Sequence, residues 1–172
     1  MVALLRAVNV GGRKLPMAEL RALCEEIGWK DVATYIQSGN VVFTAAGQPE
    51  RVEQQLEEAI EARFGLDVPV VVRSAAEWAK LAAGNPFAKE PPNRVMLLLS
   101  KAKPAAGAER AIEERGRNGE RVRRVGDALW FHYPEGAGTS KIAPSLIDRA
   151  VGSPATARNF NTVLKLREML ER

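Results

Sequence analysis

The stretch Tyr35-Ile36-Gln37-Ser38-Gly39-Asn40-Val41-Val42-Phe43 constrains the fold more than any other. Its two arms are β-prone. Its middle, Ser38-Gly39-Asn40, is a tight turn in which Gly39 or Asn40 can take a positive φ. The hairpin spans about residues 32–44, and a helical pattern lies on each side of it. It therefore reads as the central β-β step of a small α/β unit.

The rest of that unit follows in order. Residues 1–8 are apolar except for Arg6 and predict a buried strand, ending at the loop Asn9-Val10-Gly11-Gly12-Arg13-Lys14. Pro16 opens a helix, since it has no N–H to leave unsatisfied at a first position. Met17, Leu20, Leu23, Cys24 and Ile27 recur at helical spacing, Gly28 stops the helix, and Trp29 can fold back over its last turn. After the hairpin, a helix over 49–64 turns Val52, Leu56, Ile60 and Phe64 inward and Glu53, Glu57, Glu58 and Glu61 to solvent, closing at Gly65. Residues 68–72 form a strand, and Pro69 within it argues for a sheet edge. The order β-α-β-β-α-β is the ferredoxin-like split βαβ pattern, whose fourth strand does lie at an edge.

The pattern then begins again. Ser74-Ala75-Ala76-Glu77 is a capping box that starts a helix running to Gly84. Asn85-Pro86-Phe87 and Glu90-Pro91-Pro92-Asn93 make an irregular connection. A strand over 94–100, an Ala-rich helix over 104–115, and strands at 120–125 and 128–133 around Gly126-Asp127 follow. Helices are expected at 144–151 and 160–172. The fold class is α/β (α+β), with two ferredoxin-like split βαβ halves in tandem. Residues 1–84 make the first half and 85–93 a linker. Residues 94–172 make the second half, a βαββ unit whose last strand is replaced or missing, with C-terminal helices.

Composition narrows the function classes. Of 172 residues, 46% are apolar and 27% charged, which suits a globular protein with a buried core. No apolar run approaches the roughly 20 residues of a membrane helix, and no signal peptide pattern is seen. A cytoplasmic location and no membrane partner are expected. Cys24 and His132 are single, so an internal disulfide is excluded and a structural zinc site is not expected. No cofactor is implied. Cys24 lies on an apolar helix face and reads as a buried, inert thiol. Residues 1–73 carry 8 Lys/Arg and 10 Asp/Glu, a net −2, and residues 74–172 carry 17 and 11, a net +6. The basic part suits an anionic partner, although small basic excesses are common and solvated surface is the simpler reading.

The loop His132-Tyr133-Pro134-Glu135-Gly136-Ala137-Gly138-Thr139-Ser140-Lys141 is the strongest site candidate. Gly136 and Gly138 permit close backbone approach, and Ser140 and Lys141 bring a hydroxyl and a charge beside a helix start. A Gly-rich turn with a helix-capping Ser140 explains the same residues. His132 can act as an acid or base, though the sequence shows no partner for it. Trp130 and His132 share one strand face, Leu129, Phe131 and Tyr133 the other; one set belongs to the core and the other is open to stacking. Residues 115–124 contain five arginines, an electrostatic footprint or simply a solvated face. The aromatic signature of RNA recognition motifs is absent from both hairpins. Asn159 can cap the last helix, with Asn161 and Thr162 in its first turn beside free N–H groups where an anion could bind; capping is the simpler explanation of the same residues.

Several pieces together resemble the bacterial family known as domain of unknown function 1697. They are Leu4-Leu5-Arg6-Ala7-Val8-Asn9-Val10-Gly11-Gly12, the hairpin at 35–43, Asn85-Pro86-Phe87, Tyr133-Pro134 with Gly136, Gly138, Ser140 and Lys141, and Arg158-Asn159-Phe160-Asn161-Thr162. Ala7 stands where the family usually has glycine, and Phe160 where it usually has tryptophan. The resemblance implies a single-chain α/β protein with ferredoxin-like halves and carries no established activity.

The leading expectation is a module that binds an anionic ligand, a nucleic acid or a phosphorylated small molecule, in a cleft between the halves. Arg6, Asn9, Gly11 and Gly12 would contribute from the first half, with Gln37 and Asn40 from the hairpin tip. Gly136, Gly138, Ser140, Lys141, Arg158, Asn159 and Asn161 would contribute from the second. The alternatives are an enzyme on a phosphorylated substrate, with Lys141 and Arg158 as clamps and His132 as proton donor, and a structural or oligomeric protein that pairs through a sheet edge.

Overall fold

In the computed structural model, which describes residues 1–172, the opening apolar run forms strand β1 (Val2–Leu5), buried along its whole length. The strand stops before Val8 because Ala7 takes a φ of 52°, in the left-handed region. A usual glycine at this position is thereby accounted for. Helix α1 (Met17–Glu26) buries Met17, Leu20, Leu23 and Cys24. It ends in a Schellman motif: Gly28 at φ 94°, its N–H on Glu25 O, and the Trp29 N–H on Cys24 O. Trp29 then stacks on Phe43 with ring centroids 3.8 Å apart.

The hairpin forms between β2 (Lys30–Tyr35) and β3 (Asn40–Thr44). Gly39 takes the positive φ, 80°, and Asn40 is wholly buried, its Nδ2 donating to Tyr35 O and Ser38 Oγ. The Gly39 carbonyl accepts from the Leu5 N–H at 2.8 Å. Helix α2 (Pro49–Phe64) closes at Gly65 with φ 64°, and β4 (Val70–Arg73) follows. The strands pair antiparallel in the order β2-β3-β1-β4, so β4 is an edge strand with Pro69 just before it. Ala3, Leu5, Val41, Phe43, Val70 and Val72 meet α1 and α2 in one apolar core.

Two glutamates of α2 depart from expectation. Glu53 and Glu57 are not on a solvated face. Glu53 is buried, its Oε1 accepting from the Val72 N–H at 2.8 Å, and Glu57 Oε1 accepts from the Val70 N–H at 2.7 Å. The spacing explains the match. Four helical residues rise about 6 Å and two strand residues about 6.6 Å, so residues i and i+4 of a helix can serve alternate residues of a strand alongside.

In the following stretch, α3 (Ala75–Ala83) starts at the expected capping box: Ser74 Oγ accepts from the Glu77 N–H, and Glu77 Oε2 from the Ser74 N–H and hydroxyl. A 3-10 turn at Pro92–Arg94 leads into β5 (Val95–Ser100). Helix α4 spans only Ala108–Glu113, because Gly107 sits at φ 75° and cannot extend it backwards. Strands β6 (Arg121–Val125) and β7 (Ala128–His132) form the second hairpin, and α5 (Pro144–Val151) follows.

The second half is complete, which corrects the expected missing strand. Residues Ala155–Asn159 form β8, paired antiparallel with β5 from Met96↔Asn159 to Ser100↔Ala155, and α6 (Phe160–Leu170) comes directly after it. The sheet order β6-β7-β5-β8 repeats that of the first sheet. Ala-Thr-Ala-Arg-Asn has little strand propensity, so only the pairing with β5 makes it a strand. A second correction concerns β7. Both of its faces are buried: Leu129, Phe131 and Tyr133 join the core under α4 and α5, while Trp130 is fully buried and meets Phe160 edge-on at 5.6 Å.

The chain divides into two compact units, one of Met1–Ala79 with Leu166–Arg172, the other of Lys80–Lys165. No helix is long and apolar enough to cross a membrane.

Candidate functional site

Two loops of the second unit are stitched together, and the stitch creates a site. The loop between α4 and β6 carries Arg115, Arg117 and Glu120. The loop between β7 and α5 carries Ser140 and Lys141. The Ser140 hydroxyl donates to Glu120 Oε1 at 2.7 Å and accepts from the Ile142 N–H at 3.2 Å. Asn118 adds a longer bond, Nδ2 to Thr139 O at 3.3 Å, and its N–H donates to Glu120 Oε2 at 2.7 Å. Burial pushes the Glu120 carboxyl up, but the bonds from Ser140 and from the N–H groups of Asn118, Glu120 and Arg117 outweigh it and hold the group below its ordinary range. Gly116 leaves room for this carboxylate: a Cβ there would lie 2.7 Å from Glu120 Oε2. Ser140 therefore ties the two loops rather than capping α5.

The result is a cavity of about 370 Å³ lined by Arg115, Arg117, Lys141, Ala143, Ser145, Leu146 and Arg149. Its four cations come from two loops and α5, and none makes an ion pair. The neighbouring acids are engaged elsewhere. Glu113 holds Arg123 at 2.7 Å, Glu114 holds Arg110 at 3.1 Å, and Glu120 is taken by the stitch. Positive charge is thus left without internal compensation at one concave place.

The arginine run of 115–124 divides accordingly. Arg121 pairs with Glu90 at 2.6 Å, Arg123 with Glu113, and Arg124 donates to the carbonyls of Pro104, Ala105 and Gly126. Arg115 and Arg117 face the cavity. His132, expected without a partner, has several. Arg121 Nη2 lies 3.0 Å from its Nδ1, Glu90 Oε2 lies 3.5 Å from its Nε2, and the Phe87 ring stands 5.7 Å away. A guanidinium can only donate, so Nδ1 accepts and the proton of the neutral ring sits on Nε2, toward Glu90.

Burial lowers the His132 pKa; Glu90 opposes this, while Arg121 and Arg94 add to it. The folded state therefore favours the neutral ring. Its contribution to stability is full above the unfolded value near pH 6.5 and is lost as pH falls below it. Urea midpoints measured from about pH 7 down to pH 5 are expected to drop more steeply for the native protein than for His132→Gln. Parallel slopes would show that His132 does not titrate in this way.

The other expected site residues have structural work. Asn9, at φ 55°, donates from Nδ2 to Leu15 O and Gln37 O and accepts from the Leu15 N–H, tying its loop to the hairpin turn. Gln37 is exposed, and its carbonyl is what Asn9 holds. Gly11 and Gly12, at φ 56° and 82°, form an exposed turn with open space around them. Arg6 is half-buried, its N–H on Pro69 O. Gly136 lies under Arg94, whose Nη1 would stand 2.7 Å from a Cβ there, whereas Gly138 is open. Arg158 is buried in β8, donating to Thr156 Oγ1 and Ala157 O, and burial pushes its pKa down to about 10. Asn159 donates to Asn93 O and accepts from the N–H of the exposed Asn161, so it caps α6 as expected. Of all these residues, Lys141 alone lines the cavity. Arg115, Arg117 and Arg149 join it there; the arginine run hinted at the first two, and nothing in the sequence singled out Arg149. Cys24 is buried and its thiol is pushed up to about 12, an inert group.

The same fold occurs in a solved structure, that of the conserved bacterial protein SP0830 from Streptococcus pneumoniae. The two chains superpose with a TM-score of 0.71 at 21% identity, over 99% of this chain and 97% of the other, which establishes a shared fold. The family model for the protein of unknown function DUF1697 matches residues 1–130, and the chain belongs to that family. No curated protein matches the chain.

Proposed function

We propose that the protein binds a phosphorylated small molecule in the cavity of its second unit. The observation that supports this reading is the convergence of Arg115, Arg117, Lys141 and Arg149 on one concave surface without a carboxylate to neutralise them. Like charges gathered without compensation repel one another, and an anion relieves that repulsion. The volume lies at the small end of the range for ligand pockets. The lining provides guanidinium forks, an ammonium group and the Ser145 hydroxyl, and neither carboxylate nor imidazole. These groups hold and orient an anion; they do not move protons. Binding is thus better supported than catalysis at this place.

Titration at low salt with inorganic phosphate, nucleoside monophosphates and sugar phosphates tests the reading. At least one should raise the melting temperature, and rising salt should diminish the shift. Lys141→Ala should weaken binding about tenfold, the size of one lost charge-assisted contact. If the shifts survive in a Lys141→Ala, Arg149→Ala double variant, the cavity is not the binding site.

A further inference from the structure

We infer that the ligand of this cavity carries two phosphoryl groups on one small molecule, an inference that rests on the anion-binding reading above. Charge matching is the first argument. One phosphomonoester brings about −1.5 to −2 at neutral pH, whereas the lining presents four uncompensated cations. Two phosphoryl groups balance them.

Donor geometry is the second. Arg115, Arg117 and Arg149 each offer a planar fork suited to bidentate pairing with phosphate oxygens. One phosphoryl group could meet all three forks only if they converged on a single point, whereas two phosphoryl groups can share three forks and the Lys141 ammonium between them. The cations also sit on three separate segments: the α4–β6 loop, the β7–α5 loop and α5. The Ser140–Glu120 bond fixes the first two relative to one another at 2.7 Å. A ligand with two anionic centres suits cations that come from three segments.

The lining also argues against nucleic acid. No aromatic ring borders the cavity, so it has no platform on which a base could stack. Ala143 and Leu146 supply the only apolar surface, enough for a short carbon skeleton between phosphoryl groups.

Calorimetric titration of the full chain with orthophosphate, pyrophosphate, a sugar bisphosphate and a short single-stranded oligonucleotide, at one low salt concentration, tests the inference. Pyrophosphate or the bisphosphate should bind at least about tenfold tighter than orthophosphate. Whichever is tighter tells whether the phosphoryl groups are adjacent or separated. Arg115→Gln and Arg149→Gln, both at exposed positions, should each weaken the doubly phosphorylated probe by a larger factor than orthophosphate, and so shrink that advantage. Affinities for pyrophosphate and the bisphosphate no greater than for orthophosphate, with all three weakened in Lys141→Ala, would overturn the two-phosphoryl inference and leave the anion site standing. Tighter binding of the oligonucleotide than of either doubly phosphorylated probe would overturn it in favour of nucleic acid. No binding of any anion would remove both readings.

Discussion

Gly39→Ala is expected to destabilise the first unit by about 3 kcal/mol, lowering the melting temperature by roughly 6–12 °C. One methyl group does this through two effects that add. The backbone at Gly39 has φ 80°, in the left-handed region, which costs an L-residue about 1–2 kcal/mol. The new Cβ would also lie 2.7 Å from Val8 Cγ2 and 2.8 Å from Leu5 Cβ. The Val8 methyl can turn aside, but Leu5 Cβ is fixed to a strand that is buried and paired on both sides. Overpacking of this kind costs about 1–3 kcal/mol. Gly28→Ala, also at positive φ but with open space around it, separates the terms and should show the backbone cost alone. Equal losses for the two variants would mean that the turn does not press on Leu5 and Val8.

Glu53→Ala should cost about 2 kcal/mol, a large effect for a glutamate on a helix. Its carboxylate is the acceptor for the Val72 N–H at 2.8 Å and lies 3.8 Å from the Arg73 guanidinium. Removing it leaves a buried backbone donor without its acceptor, and that asymmetry governs the cost. Glu53→Gln keeps an acceptor oxygen in place and should recover most of the loss. Glu58→Ala, on the exposed side of α2, should cost at most about 0.5 kcal/mol. Denaturation midpoints of the three variants decide the matter. A glutamine variant as unstable as the alanine one would assign the effect to charge rather than to the hydrogen bond.

Local chemistry made the first unit legible from sequence. Gly28, Gly39 and Gly65 mark turns with positive φ, the apolar spacing of α1 and α2 has one clear period, and Pro69 points to an edge. In β8 such local marks fail. Ala155–Asn159 is a strand only because β5 offers it a register, and no residue within the segment announces that partner. The same limit applied to Glu53 and Glu57. Helical periodicity placed them outward, yet their length lets them bend back to donors that the sequence does not reveal. The site was half legible for the same reason. Lys141 and the arginines were visible as charges, but which arginines pair away and which remain depends on where Glu90, Glu113 and Glu114 fall in space. Ser140 and Asn9 carried recognisable patterns, and the structure explains them as ties between loops.

The two carboxylates of α2 also bear on what the first sheet can do in a crowded solution. A free strand edge is a template on which another chain can add itself, one backbone donor at a time. Along β4 the outward donors of Val70 and Val72 already have their acceptors, supplied by Glu57 and Glu53. The opposite edge strand, β2, is interrupted by a register shift between Lys30 and Ala33, with Asp31 at φ 53°, so it presents no flat row to copy. Growth of an intermolecular sheet from β4 therefore cannot begin by simple docking. It has to wait until α2 withdraws both side chains, which makes sheet extension a consequence of partial unfolding and not a property of the folded surface.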